Sequence, residues 1–312
     1  MSRSPTSYTA PLTAEQAETL RKLLEAKSFS FSGKPYALFS AKKDKVNVTV
    51  YEKGPKVLVQ GKGTAEFVEF LLEPEVLGEA KMGYEEELEP EMFAPHIGVD
   101  ESGKGDFFGP LVIAAVYSDA EIARTLLDAG IMDSKKIGSD ARIRSLSDVV
   151  REAPGVAYKV LVLRPVKYNE LYERFANLNR LLAWGHATVI EDVLAMRPDC
   201  SRALSDQFAN PAVLKRALKE RGKAIELQQK TKAESDVAVA AASILAREAF
   251  IDWLDQASEE WGETLPKGAS RQVKEAGRRL LRSHGREIFR DTAKLHFKTA
   301  RELYDEIVTE SA

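Results

Sequence analysis

Two adjacent acids, Asp100 and Glu101, end an apolar strand-like run and open a glycine-rich turn in Gly98-Val99-Asp100-Glu101-Ser102-Gly103-Lys104-Gly105-Asp106-Phe107-Phe108-Gly109-Pro110. Neighbouring residues of a strand point to opposite faces, so these carboxylates meet only where the backbone twists or one reaches around the strand end. Glycines 103 and 105 let the backbone approach a ligand and aim N–H groups at a phosphate. Another acid, Asp206, ends the apolar run Ala203-Leu204, within Ser205-Asp206-Gln207-Phe208. A third acid region, Lys232-Ala233-Glu234-Ser235-Asp236, stands just before an alanine-rich helix. An acid there either serves the positive end of the helix dipole or completes a carboxylate cluster. Three or four carboxylates without His or Cys make a hard oxygen site that prefers Mg²⁺ or Mn²⁺ over zinc. The chemistry such a site favours is two-metal phosphodiester hydrolysis, one ion activating water and the other stabilising the leaving 3′-oxygen.

The elements that must hold these acids are legible in outline. Residues 97–99 and 111–116 are strand-like, as are 155–163, 202–205 and 224–228; residues 168–196 and 237–261 have helical period, and 271–308 are mostly helical. Alanines 238, 240, 241 and 242 leave so little bulk that the helix from Val237 can lie close against the sheet. The first 75 residues form a separate small α/β unit. It has a helix capped by Thr13 and Gln16, strands at 36–40, 46–51 and 57–60, and a second helix at about 65–72. Between the units, residues 76–95 carry Glu79, Glu85, Glu86, Glu87, Glu89 and Glu91 against the single Lys81, with prolines at 90 and 95; a self-repelling linker is expected. The larger α/β unit then runs over 96–312.

Charge and composition exclude some classes. The 312 residues carry 45 Lys and Arg against 48 Asp and Glu, a net charge of −3, so overall charge does not announce a nucleic-acid partner. Two basic groups remain as candidate phosphate contacts: lysines 34, 42, 43, 45, 53, 56 and 62 of the first unit, and the Arg/Lys-rich tail from Arg271 to Arg301. Cys200 is the only cysteine, which excludes a disulfide framework and a multi-cysteine zinc site. No apolar run approaches the ~18 residues that span a bilayer, and residues 1–12 contain no apolar signal core. A soluble cytoplasmic monomer with no membrane contact and no obligate protein partner is expected. Of the histidines, His96 reads as a surface residue, His186 as packing or solvent-facing, and His296 as structural.

The motif around Asp100 resembles the first motif of the type 2 ribonucleases H, in the form found in bacterial ribonuclease HIII. Asp133-Ser134-Lys135-Lys136, Ser205-Asp206-Gln207-Phe208 and Lys232-Ala233-Glu234-Ser235 with Ala240–Arg247 resemble the second, third and fourth motifs, in that order; Leu265–Ala269 and Lys294-Leu295-His296-Phe297 match further segments. The resemblance implies a ribonuclease H-like α/β fold with a mixed central sheet flanked by helices. It also implies an N-terminal domain like the TATA-box-binding protein fold that helps bind substrate. The implied activity is endonucleolytic cleavage of the RNA strand of an RNA–DNA hybrid, leaving 5′-phosphate and 3′-hydroxyl ends. Incision at single ribonucleotides embedded in DNA, as by ribonuclease HII, is the alternative. Carried over motif by motif, Asp100, Glu101, Asp206 and Glu234 hold the metal and are catalytic. The spacing from Glu234 to the alanine run is one residue shorter than the family form, which leaves Asp236 as the competing fourth carboxylate. Ser102, Gly103, Lys104 and Gly105 are expected to follow the RNA strand and its 2′-hydroxyls, and Ser134 and Lys135 to grip phosphates.

Overall fold

The computed structural model describes residues 6–78, 85–131, 134, 137–208, 210–219, 221–231 and 233–310. Two compact units result: residues up to Phe93 with Asp128–Gly130, and Ala94–Leu127 with the chain from Ile131 onward.

In the first unit, β1 (Ser7–Pro11), β2 (Ser30–Ser32), β3 (Ala37–Lys43), β4 (Val46–Tyr51) and β5 (Lys56–Gln60) form an antiparallel sheet in the order β1-β5-β4-β3-β2. Helix α1 (Ala14–Ala26) starts as expected: Thr13 Oγ1 accepts from the Gln16 amide at 3.1 Å, and Gln16 Oε1 accepts from the Thr13 amide at 2.8 Å. Its Leu20 and Leu24 are buried with Phe39, Val48, Val50, Val57 and Val59 from one face of the sheet. The other face carries Ser30, Ser32, Leu38, Ser40, Lys42, Asn47, Thr49, Tyr51, Lys56, Leu58 and Gln60; Thr49 is buried and Ser40, Leu58 and Tyr51 half-buried at its middle, and the rest are exposed. The second helix departs from expectation. Four α-helical residues, α2 (Thr64–Phe67), pass into a π-helix over Val68–Leu77 that contains Pro74. Proline has no N–H to give, so one bond of the ladder is missing within this segment. Val76 belongs to the core of this unit, and helical turns α3 (Glu85–Leu88) and α4 (Pro90–Phe93) follow in the acidic stretch.

The second unit is built on β6 (His96–Ser102), β7 (Leu111–Ser118), β8 (Ala157–Leu163), β9 (Arg202–Asp206) and β10 (Glu226–Lys230), in the order β10-β9-β6-β7-β8. β6, β7 and β8 are antiparallel neighbours; β9 runs parallel to both β6 and β10. This is the mixed sheet of a ribonuclease H-like fold. Its helices are α5 (Ala120–Asp128), α6 (Asp140–Glu152), α7 (Pro165–Phe175), α8 (Leu178–Met196), α9 (Pro211–Ala217), α10 (Val237–Trp261), α11 (Arg271–His284), α12 (Ile288–Thr292) and α13 (Lys298–Glu310). The helical period over 168–196 covers two helices rather than one. Ala176 closes α7 in the left-handed region at φ 49°, and Asn177 caps α8 by accepting from the Arg180 amide. Among the described residues no helix is long and apolar enough to cross a membrane.

Candidate active site

Two glycines bring helices onto the strands that carry the acids. A Cβ on Gly98 would stand 2.2 Å from the backbone of Ala238 and Val239, so α10 rests directly on β6, as its small residues allow. A Cβ on Gly185 would stand 2.1 Å from Ile113 Cδ1, which seats α8 tightly on the opposite face, against β7. The C-terminal end of β6 is thus held between two helices, and its successive side chains meet one helix and then the other.

Asp100 shares the α10 face with Gly98. Its Oδ1 accepts from the Glu101 amide at 2.8 Å, and its carboxylate accepts from Ser243 of α10. Burial first, and then the neighbouring Glu101 charge, push its pKa well up from the ordinary carboxylate value. Glu101 faces α8. His186 Nε2 lies 3.0 Å from Oε2 and Lys104 Nζ lies 3.3 Å from Oε1. Burial alone would raise Glu101, but the His186 hydrogen bond and charge and the nearby Lys104 ammonium hold it well below its usual range. One carboxyl pushed up beside one pulled down is the pattern of adjacent acids in unlike environments.

The parallel register positions Asp206. The last paired residues of β6 and β9 are Val99 and Ser205, so Asp206 is one step on, level with Asp100 on the neighbouring strand and on the same face. Adjacent strands lie about 4.8 Å apart. Asp206 Oδ1 accepts from the Ala233 amide at 3.4 Å, and this reaches the short turn Ala233–Ser235 that carries half-buried Glu234. Asp236 has other work. It caps α10, accepting from the Ala238 and Val239 amides at 2.9 and 3.2 Å, and it meets His96 Nε2 at 3.0 Å. His96 is therefore fully buried at this cap, not a surface residue.

Side chains on opposite faces of β6 do not converge as they stand. Among the described residues no three acids, histidines or cysteines are gathered closely enough to enclose an ion. Each carboxylate is turned to its own donor, as expected where like charges lie side by side.

The glycine-rich turn is held from behind. Gly103 has φ 84°, and a Cβ there would fall 2.2 Å from the Pro110 carbonyl oxygen. Asp106 Oδ1 accepts from the Gly268 amide at 2.5 Å, and the Phe107 amide donates to Gly268 O at 2.9 Å. Lys294 is fully buried, and its Nζ donates to the carbonyls of Asp106 (2.9 Å), Phe108 (3.4 Å) and Gly109 (2.7 Å). Burial lowers its pKa to about 7, against the favourable charge of Asp106. The segments at 265–269 and 294–297 thus brace the turn. His296 stacks on Tyr172 with ring centroids 4.2 Å apart, a packing role.

Other sequence candidates are placed differently. Ser134 is buried, with Oγ 2.6 Å from Ser243 Oγ, and its carbonyl accepts from the Arg247 guanidinium. Lys135 lies outside the described residues. Much of the basic tail is paired internally: Lys274 with Glu302, Arg278 with Glu306 and Arg279 with Glu263. The seven lysines of the first unit are exposed. Ser243 lies within the fourth motif, but nothing in an alanine-rich helix marks it as the partner of Asp100. His186 is packed as the sequence allows, and its bond to Glu101 is what the sequence does not give; the preceding Gly185 marks the close approach to the sheet.

The sequence family described as Ribonuclease HII matches residues 97–300, and one described as a domain of unknown function matches residues 10–81. Two relatives named ribonuclease HIII are each 46% identical to this chain. That of Chlamydia felis aligns over 303 residues, 96% of this chain and 98% of its own; that of Protochlamydia amoebophila aligns over 292 residues, 94% and 95%. Among solved structures, Bst-RNase HIII in complex with Mn²⁺ is similar with a TM-score of 0.65 at 29% identity, covering 96% of this chain and 98% of that one. Aquifex aeolicus RNase H3 is similar with a TM-score of 0.54 at 28% identity, covering 93% and 100%.

Proposed function

Because this chain belongs to the ribonuclease HIII members of the type 2 ribonuclease H family, and so is a ribonuclease H endonuclease, we propose that Asp100, Glu101, Asp206 and Glu234 hold the divalent ions with which it cleaves the RNA strand of an RNA–DNA hybrid. The observation that supports this reading is the β6–β9 register, which sets Asp206 level with Asp100 and on the same face, with Glu101 the next residue along β6. The donors are all carboxylate oxygens, the set that suits Mg²⁺ or Mn²⁺. When bound, the two ions supply water activation and charge neutralisation at the leaving oxygen. Water adds to the phosphorus and the bond to the 3′-oxygen breaks, leaving a 5′-phosphate and a 3′-hydroxyl. Glu234 is preferred to Asp236 as the fourth ligand because the Asp236 carboxylate is already engaged by two amides and His96.

The chain's own groups orient the substrate. Ser102, Gly103, Lys104 and Gly105 form the turn that follows the RNA strand, and Lys104, partly exposed on a flexible stem, can reach a phosphate. Ser134 acts through Ser243 rather than by direct contact, and Lys135 keeps its assignment as a phosphate contact. End-labelled RNA–DNA, RNA–RNA and DNA–DNA duplexes should be told apart: cleavage of the hybrid alone, with Mg²⁺ or Mn²⁺, and none in EDTA. Cleavage of all three, or cleavage in EDTA, rejects the reading. The relatives' names do not favour the single-ribonucleotide alternative, and a duplex carrying one embedded ribonucleotide should be cut more slowly than one carrying a run.

The proposal extends to the other regions as 1–75 substrate-binding, of the TATA-box-binding protein type, 76–95 linker and 96–312 catalytic. Exposed Lys42 and Lys56 on one sheet face support the first role, since such cations can track a phosphate backbone without reading sequence. Deleting residues 1–90 should raise KM for hybrid by about tenfold or more and make its salt dependence shallower, because phosphate contacts are lost; an unchanged KM argues for another role. Action as a cytoplasmic monomer completes the proposal.

A further inference from the structure

His186 is fully buried, and its two ring nitrogens have unequal surroundings. Nε2 lies 3.0 Å from Glu101 Oε2, whereas Nδ1 is buried with no hydrogen-bond partner among the described residues. An ionised carboxylate can only accept, so Nε2 carries a hydrogen. A buried ring nitrogen without a partner, as Nδ1 is, costs stability that an apolar side chain of similar size would not. Packing alone therefore does not account for an imidazole here; its hydrogen bond to Glu101 does.

The ring is also held in place. Gly185 lets α8 sit hard against Ile113, and the Phe208 ring stands 4.7 Å from the His186 ring, centroid to centroid. The second partner of Glu101 differs in kind. Lys104 reaches Oε1 from a side chain 39% exposed, on a stem that can swing away. One oxygen of Glu101 is bonded to a fixed buried donor and the other to a movable surface cation.

We propose that His186 is a positioning residue: by holding Oε2 it fixes the Glu101 carboxylate and leaves Oε1 as the oxygen offered to a divalent cation, in competition with Lys104. This rests on the reading of Glu101 as a metal ligand. A partner bonded behind a ligand orients it and sets its basicity, and losing such a partner typically weakens metal binding about 10–100-fold.

The test is Mn²⁺ binding to the full-length protein without nucleic acid, read by titration calorimetry, beside the Mn²⁺ dependence of cleavage. His186→Leu keeps bulk and removes the donor; His186→Gln keeps an N–H at similar reach. The leucine variant should bind Mn²⁺ about tenfold or more weakly, and its half-saturating Mn²⁺ in cleavage should rise by a similar factor. The glutamine variant should recover most of both, and KM for hybrid should stay within about twofold. Where the leucine variant does not fold, His186→Ala reads the same loss without overpacking. Wild-type Mn²⁺ affinity in a folded donor-less variant, or a glutamine variant as weak as the leucine one, overturns the proposal. Glu101→Gln separates the two levels. If it too binds Mn²⁺ normally, the ligand reading of Glu101 fails; if it alone loses Mn²⁺, only the role of His186 does.

Discussion

Asp100→Asn should lower single-turnover cleavage by about a thousandfold or more while leaving hybrid affinity, measured by fluorescence anisotropy, within about threefold. The amide keeps the shape and the place of Asp100 between the Glu101 amide and Ser243. It removes the charge that a hard cation needs. The same change should raise stability. Asp100 has its pKa raised from 3.8 to about 7 in the folded chain, by burial and then by Glu101. Between those values the unfolded chain binds fewer protons than the folded one, so this group makes stability fall as pH rises through that window. The asparagine variant lacks that loss and should melt higher than wild type at pH 8, with a flatter stability profile from pH 4 to 7. Cleavage at the wild-type rate would remove Asp100 from the mechanism; a lower melting temperature would remove the account in which burial and the Glu101 charge penalise the ionised carboxylate. Gain of stability with loss of activity is the usual mark of a group kept for function.

Gly98→Ala should destabilise the protein by about 3 kcal/mol or more in denaturant unfolding, with activity falling in parallel. The new methyl would lie 2.2 Å from the carbonyl carbon of Ala238 and the amide of Val239, both backbone atoms that no rotamer change can move. Relief requires α10 and β6 to part, which carries Ser243 away from Asp100 and the 233–235 turn away from Asp206. Gly105→Ala is the control. A Cβ there meets nothing within 4 Å and its φ is not positive, so unfolding free energy should change by no more than about 0.5 kcal/mol. Equal stabilities for the two variants would refute the close-approach argument.

The acids were legible in the sequence because each ends an element whose period is strong. Asp206 follows a short apolar strand, and α10 begins and ends at the residues its composition marks, between the Asp236 cap and Gly262. What local pattern could not give was partnership. The motif favours Glu234 and leaves Asp236, two residues on, as its competitor; the cap geometry and the approach of His96 engage Asp236 elsewhere. Lys294 reads as one more cation in a basic tail until the fold wraps three carbonyls around it. The strands β1 and β2 were missed for a different reason. They are five and three residues long, at the two edges of their sheet, and their conformation depends on pairing with β5 and β3 rather than on a hydrophobic stripe of their own. The π-helix over Val68–Leu77 is likewise unmarked in the sequence: its apolar residues suit any helix, and Pro74 removes one bond from whichever ladder forms.

The side chain of Lys294 makes the turn at 103–109 depend on a residue about 190 positions later in the chain. The turn at 103–109 leaves the ribosome long before residue 294, yet its carbonyls find their cation only when that late segment arrives. A nascent chain that already carries Asp100, Glu101, Asp206 and Glu234 still lacks the buried side chain on which the carbonyls of Asp106, Phe108 and Gly109 converge.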